Sequence, residues 1–355
     1  MTKPLGVAVL FGGTSEERDV SIASAREVVR ALRERGHNVL AVDTTRGVLS
    51  AADERSVLDA QVRRRPPSGA ELERMSNPSA ALVLPAQLAG NDIDVVFLAL
   101  HGGSGEDGRI QSLLELAGIL YTGAGPLGSA LAMDKDVSKR LFREAGIPTP
   151  DWRMVPTDAA PRDAAGEEPM QLFVDEVVVD FGLPIVVKPN AQGSTVGLSL
   201  VRETEGFARA VAVASVIGEV MFERFVPGRE LTVGVLDGAA LAVGEVAIPR
   251  DSVFGYVEKY QAGAVVEKFP AAVPAVVAAR ARELAASAHR TLKLDGYSRA
   301  DFRLDAAGEL WLLEVNTLPG LTATSLLPQS GAAAGIEFGL LCERICELGI
   351  RRAIH

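Results

Sequence analysis

Arg299-Ala-Asp301-Phe-Arg-Leu304-Asp305-Ala-Ala-Gly308-Glu-Leu310-Trp-Leu-Leu-Glu314-Val-Asn316 is the stretch that decides the fold. Two runs read as strands, Ser298 to Leu304 and Leu310 to Val315, flank a tight turn at Asp305 to Gly308 and so form a hairpin. Glu314 and Asn316 are two apart and share one face of their strand. Asp301 can join them from the neighbouring strand, with Arg299 on the same face. Three oxygen donors on one sheet face suit Mg²⁺, which takes few protein ligands and leaves room for phosphate oxygens. An arginine beside them can hold a phosphate. The plainer reading is a solvated face with scattered charges. Against it, Leu310-Trp-Leu-Leu313 is strongly apolar, and an acidic trio in such surroundings is costly unless it binds something.

Upstream of the hairpin, Val220 to Ile248 alternates as antiparallel strands with glycine turns, and Pro274 to Leu292 is an alanine-rich helix. Between them, residues 251–269 lack a period and suit a mobile lid. Downstream, a last helix is expected from about Ala333 to Leu348. Further upstream, Leu183 to Lys188 and Val196 to Val201 are strands around Gln192-Gly-Ser194-Thr-Val-Gly197. A lysine leaving a strand beside such a loop can grip phosphates with its ammonium and with backbone N–H groups. Lys135, near the start of the helix Asp134 to Ala145, is by itself an ordinary surface lysine. Glu223-Arg224-Phe225-Val226 can form an adenine edge, although such a segment alone is usually core.

The chain begins differently. Gly6 to Phe11, a Gly-Gly turn, a helix over Val20 to Arg35 and a strand over Asn38 to Asp43 spell a parallel α/β unit. Val95 to Leu100 ends at His101-Gly-Gly-Ser-Gly-Glu106-Asp-Gly108. His101 and Glu17 thus follow strand carboxyl ends, where ligands bind in such units. Residues 45–80 read as a variable surface insertion and 156–172 as a loop. The expected divisions are 1–123 (α/β), 124–222 (mixed) and 223–355 (α+β).

Several classes are excluded. Acidic residues outnumber basic ones by 46 to 36 in 355 residues, for a net charge of −10, the wrong balance for a sequence-independent nucleic-acid binder. No run approaches the ~18 apolar residues of a membrane span. No secretory leader is expected, and two cysteines, Cys342 and Cys346, fit a reducing cytoplasm. Four apart on a helix, they read as a core pair rather than a metal pair. Gly123-Ala-Gly125-Pro-Leu-Gly128 matches G-x-G-x-x-G but lacks the acidic residue ~20 positions on, so it reads as a domain connection. No G-x-x-x-x-G-K-[ST] phosphate loop is present.

Taken together, the chain resembles the D-alanine–D-alanine ligases of the ATP-grasp superfamily. The resemblance rests on Val9-Leu-Phe-Gly-Gly-Thr-Ser15 with Glu17 and Ser21, His101 to Gly108, Tyr121-Thr-Gly123 and Met133-Asp-Lys135. It continues through Lys188-Pro189, Gly193-Ser194-Thr-Val-Gly197, Lys259-Tyr260, Arg299-Ala-Asp301 and Glu314-Val-Asn-Thr-Leu-Pro-Gly320 to Ser325-Leu326. It implies an ATP-grasp fold behind a Rossmann-like N-terminal domain, with 124–222 as the central lid domain and 223–355 carrying the metal site.

The implied activity joins two D-alanines through an acylphosphate, releasing ADP and phosphate for peptidoglycan synthesis, in the cytoplasm and as a homodimer. Lys135 and Lys188 would hold ATP phosphates, and Glu223, Arg224, Phe225, Val226 and Glu230 the adenine and ribose. Asp301, Glu314 and Asn316 would bind two Mg²⁺, with Mn²⁺ able to substitute. Glu17 would take the first ammonium, with His101 nearby, and Ser325 and Leu326 the second carboxylate. Arg299 and the N–H of Gly320 would stabilise the oxyanion. Lys259 would touch the moving phosphate, and Tyr260 would link to Ser194 and Glu17. Gln192, Gly255, Val257 and Leu321 depart from the usual pattern. The alternatives are another ATP-grasp dipeptide ligase or a catalytically idle nucleotide binder; the phosphate and metal residues argue against the second.

Overall fold

The computed structural model describes residues 3–59, 63, 67, 69–75, 78–89, 91–156, 167–248 and 266–352. Lys259, Tyr260, Gly255 and Val257 lie outside the described residues, as does most of the segment read as a lid.

The first unit contains β1 (Gly6–Phe11), α1 (Arg18–Glu34), β2 (Asn38–Asp43), β3 (Gly47–Val48), α2 (Ala51–Leu58), α3 (Gly69–Met75), α4 (Pro78–Ala89), β4 (Val95–Leu98) and α5 (Arg109–Leu116). Its sheet runs β3-β2-β1-β4, with β1 parallel to both β2 and β4. Helices cover this sheet, so β1 is buried at every residue and reads as an unbroken apolar run rather than an alternating one. Strand order reverses at β1, and the carboxyl ends of β1 and β4 open a crevice there. Glu17 and His101 leave from those two ends.

The described residues between 45 and 80 contain more regular structure than the sequence suggests: β3, α2, α3 and the start of α4. Their period is hard to read because, among the described side chains, α2 buries the adjacent Val57 and Leu58 and α3 buries Leu72. Pro85 interrupts the pattern inside α4.

The second unit contains α6 (Pro126–Met133), α7 (Lys135–Glu144), β5 (Trp152–Met154), α8 (Glu167–Phe181), β6 (Ile185–Pro189), β7 (Ser199–Val201), α9 (Phe207–Ser215) and β8 (Val220–Arg224). Its sheet runs β5-β8-β6-β7, antiparallel throughout. The cut expected after 222 falls inside β8, whose pairing reaches Glu223 with β5 and Arg224 with β6. The loop expected over 156–172 gives way to α8 from Glu167. Met170, Phe173, Val174 and Val177 are its buried face, with Phe173 5.2 Å from Phe222. That helical spacing was hidden by the polar, proline-bearing first turn.

The third unit contains β9 (Arg229–Leu236), β10 (Ala239–Ala247), β11 (Val266–Lys268), α10 (Ala275–Thr291), β12 (Tyr297–Leu304), β13 (Leu310–Asn316), α11 (Leu326–Ala333) and α12 (Phe338–Arg351). Its antiparallel sheet runs β11-β10-β9-β12-β13. Ala281, Leu284, Ala285 and Ala288 of α10 pack on it. In contrast, α12 crosses to the first unit, where Leu341, Cys342, Ile345 and Cys346 join the core of β1 and β4. Both thiols are free, and burial pushes their ionisation up. The Gly123 turn is likewise filled by protein: Arg352 donates to the Gly123 carbonyl at 2.9 Å and lies over the Tyr121 ring.

Candidate active site

A cavity of about 580 Å³ opens where the three units meet, lined by Glu17, α1 and His101 of the first, β6 and β8 of the second, and β9, β12 and β13 of the third. Every described residue assigned a role from the sequence lines it; Lys259 and Tyr260 lie outside the described residues.

At one end, Glu17 stands just before α1, and Ser194 donates a short hydrogen bond to it. Two glycines frame this carboxylate. A Cβ on Gly102, which has φ +64°, would lie 2.8 Å from Glu17 Oε2, and one on Gly193 would lie 2.9 Å away. Ser194 and Thr195 have φ of 51° and 62°, uncommon for residues with a side chain and a mark of a functional loop. Ser21, part of the same sequence pattern, braces the β1 end instead: it accepts from Gly12 N–H and donates to the Ala99 carbonyl.

His101 is buried, with Nδ1 2.7 Å from the Leu318 carbonyl, so that nitrogen carries the proton. Nε2 accepts from Ser24, whose oxygen receives Leu321 N–H at 3.1 Å. Burial lowers the imidazole pKa against the pull of Glu17, keeping the ring neutral. His101 therefore positions the loop carrying Gly320. Glu106 supports the same loop, accepting from Gly102 N–H at 3.0 Å and Leu318 N–H at 3.2 Å. Burial, then the charge of Glu17, raises its carboxyl to about 7.

The cations gather at the mouth of β6. Lys188 reaches Glu223 Oε1 at 2.7 Å, while Lys139 reaches Oε2 at 2.7 Å and Thr149 at 2.7 Å. Lys135 donates to the Gln192 carbonyl at 2.7 Å and pairs with Glu314 at 3.2 Å. Lys139 had no assigned role, although it lies one helical turn from Lys135 on the same face. Farther along, Arg303 donates to the Val226 and Gly228 carbonyls and pairs with Glu230 at 3.4 Å. Its guanidinium lies over the Phe225 ring, while that of Arg224 lies over Trp311. Arg303 also went unassigned, yet it alternates with Arg299 and Asp301 along β12.

On the floor, Asp301 pairs with Glu314 and Arg299 with Asn316 across β12 and β13. The register then slips, with Phe302 opposite Leu312. This bulge lets the consecutive Leu313 and Glu314 both line the cavity, which simple alternation does not anticipate. Arg299 grips Asp301 through two nitrogens, at 2.9 and 2.8 Å, and Thr232 donates to Asp301 at 2.7 Å. Asn316 Oδ1 is buried and accepts no hydrogen bond. Such an atom is costly to leave unmet. Two carboxylates and an amide oxygen form a hard donor set that fits Mg²⁺. Among the described residues no three His, Cys, Asp or Glu gather as a metal site, since the third donor here is an amide.

At the far end, Ser325 occupies the N-cap of α11, yet its hydroxyl makes no capping bond and lies 2.8 Å from that of Thr322. Gly320 and Leu326 lie alongside; a Cβ on Gly320 would be 2.9 Å from Ser325 Oγ. The first turn of α11 can therefore present backbone N–H groups to an anion. Glu267 of β11 also faces the cavity and accepts a short hydrogen bond from Gln329 of α11. Partial burial raises its carboxyl pKa, opposed by Gln329 and by the charge of Arg299.

Residues 6–124 match the family model described as D-ala D-ala ligase N-terminus, and residues 141–347 match D-ala D-ala ligase C-terminus. A D-alanine--D-alanine ligase of Nitratidesulfovibrio vulgaris (strain DP4) is 40% identical over 98% of this chain and 99% of its own length. One from Acidiphilium cryptum (strain JF-5) is 41% identical over 96% and 97%. Among solved structures, the Bacillus anthracis D-alanine--D-alanine ligase complexed with ATP superposes with a TM-score of 0.72 at 28% identity, covering 98% of both chains. The Coxiella burnetii D-alanine-D-alanine ligase gives 0.74 at 26%, covering 98% of this chain and 94% of that one.

Proposed function

The chain belongs to the D-alanine–D-alanine ligase family, and from that premise we infer that it joins two D-alanines into D-alanyl-D-alanine with ATP, for peptidoglycan synthesis. The observation that carries this reading is the meeting of four chemistries in one cavity. Glu17 with Ser194 can receive an ammonium, Lys135 and Lys188 phosphates, the β12–β13 face a metal, and the start of α11 a carboxylate.

The chemistry follows from the weak electrophilicity of a carboxylate. Phosphoryl transfer from ATP to the first D-alanine gives an acylphosphate, whose carbonyl the second amine attacks as phosphate departs. Glu17 anchors the first ammonium, placing the neighbouring carboxylate toward the cations. Lys135 and Lys188 offset charge on the phosphates. Both oxygens of Glu223 are held by lysines, so its side chain orients those cations. Contact with adenine then falls to the backbone of Arg224 to Val226 beneath Phe225, and ribose lies by Glu230. Arg299 and Gly320 N–H face the developing oxyanion, and Ser325 Oγ with Leu326 N–H hold the second carboxylate.

Asp301, Glu314 and Asn316 would hold two Mg²⁺, with Mn²⁺ able to substitute, and the ions would supply Lewis-acid neutralisation of the transferring phosphate. Lys259 is assigned to that phosphate, and Tyr260 to the Ser194–Glu17 pair. We place the working divisions after Gly123 and after Val226, assign the protein to the cytoplasm, and expect a homodimer. No helix among the described residues is long and apolar enough to cross a membrane.

The test is ATP-dependent phosphate release with Mg²⁺ over D-alanine, L-alanine, D-serine, D-lactate and their mixtures, with mass detection. Release on D-alanine alone with a dialanine product is expected. Release only with another pair would move the protein to a different ligase.

A further inference from the structure

The cavity handles its acids unevenly. Glu223 is held by Lys139 and Lys188, Glu230 by Arg303, Asp301 by Arg299 and Glu314 by Lys135. These carboxylates meet cations of their own. Glu267 is different: the hydrogen bond it accepts comes from a neutral amide, Gln329.

The positions of Glu17 and Glu267 in the cavity match the substrates. Each D-alanine is a zwitterion, and Glu17 answers the first ammonium. At the other end, Ser325, the start of α11 and Arg299 provide only for a carboxylate and an oxyanion. Glu267 supplies the missing negative charge there. It leaves the edge strand β11, which pairs with β10, and faces α11. Gln329 also donates to the Thr324 carbonyl at 2.7 Å, so one amide ties Glu267 to the loop entering the α11 N-terminus. Arg299 lies between the two ends, within electrostatic reach of both Glu267 and His101.

Resting on the ligase reading, we propose that Glu267 is a specificity-determining residue of the second substrate site, holding the ammonium of the incoming D-alanine while the α11 N-terminus holds its carboxylate. The acceptor is thereby gripped at both charged ends, with its nitrogen turned toward the centre of the cavity. Carboxylates lacking an amine lose half of that grip.

Steady-state phosphate release over a wide D-alanine range, at saturating ATP and Mg²⁺, separates the Michaelis constants of the two sites. Glu267→Gln keeps a partner for Gln329 and removes the charge. It should raise the second-site KM about tenfold, the worth of one charge-assisted hydrogen bond in a partly open site, while the first-site KM and kcat stay within about threefold. Glu267→Asp should recover part of the loss. Gln329→Leu keeps the charge and removes the tie, and should change the second-site KM less than about threefold. An unchanged second-site KM in Glu267→Gln overturns the proposal. So does a parallel rise at both sites, or Gln329→Leu reproducing the effect. A wild-type protein silent with D-alanine would overturn the ligase reading itself, a result distinct from any of these.

Discussion

Lys139, fully buried on α7, donates to Glu223 of β8 at 2.7 Å across two elements that share no sheet. Glu223 gives its other oxygen to Lys188 at the same distance. Burial is the largest influence on Lys139 and pulls its pKa to about 8, with Glu223 opposing and Lys188 adding to the fall. The carboxylate of Glu223 is held below its usual range because the two ammonium groups outweigh its burial.

Lys139→Met should therefore weaken ATP use without touching the amino-acid sites. Glu223 would keep one cation, and Lys188 would be drawn harder onto it. The expected result is a rise of about tenfold in the ATP KM, with a loss of ~2–3 kcal/mol in stability from breaking one arm of a buried pair. Kinetics with ATP varied and a denaturant melt check both. Unchanged ATP dependence would reduce Lys139 to a packing role.

Asn316→Leu should act in opposite directions on stability and activity. The amide oxygen is buried without a hydrogen bond, so replacing it with an apolar group of similar size removes an unmet acceptor. In the absence of Mg²⁺ the variant should be as stable as the parent or more stable, by ~1 kcal/mol. Phosphate release should fall by about 10²-fold or more. A melt without Mg²⁺ that shows clear destabilisation would contradict the reading of that oxygen as a donor held ready for a cation.

Gly102→Ala places a Cβ 2.8 Å from Glu17 Oε2 on a backbone with φ +64°. The strain alone should cost ~1–2 kcal/mol. The displaced carboxylate should raise the first-site D-alanine KM more than the second-site KM. Two-site kinetics distinguish this from a general loss, which would lower turnover with both constants unmoved.

Glu106 gives a pH prediction with a definite sign. Its carboxyl lies at about 7 in the fold against 4.5 for the free group, chiefly through burial and then the charge of Glu17, with Gly102 N–H, Leu318 N–H and Arg299 opposing. Between these values the native protein holds a proton that the unfolded chain has released. The stability this gives is fully present below the unfolded value and is lost as pH rises through the folded one. The difference in Tm between wild type and Glu106→Gln should therefore favour the wild type more at about pH 5 than at about pH 8. A pH-independent difference would mean that Glu106 stays ionised.

The hairpin of β12 and β13 was legible because a short turn fixes which strands pair and a period of two fixes which side chains share a face. The slip opposite Asp301 was not, because a bulge adds one residue without a composition of its own. Glu17 and His101 were legible as ends of elements, whereas Ser325 was picked out only by the family resemblance. Lys139, Thr232 and Ser24 were hidden for another reason: their partners Glu223, Asp301 and His101 are 84, 69 and 77 residues away, distances no local pattern spans. Glu106 stood inside a quoted motif, but its part emerges only when Leu318 arrives from another unit. The helix over 51–58 was missed because its two buried residues, Val57 and Leu58, are neighbours in the last turn and leave no stripe to recognise.

The passage of α12 back to the first unit has a consequence for biosynthesis. Leu341, Cys342, Ile345 and Cys346 complete a core begun by Val7 to Phe11. A ribosome delivers the opening strands of that core long before the helix that seals them. Until then their apolar face is bare, and the nascent protein must be shielded by the exit tunnel, by a chaperone or by transient collapse. Construction of the first unit is thus scheduled by the emergence of residues 338–351.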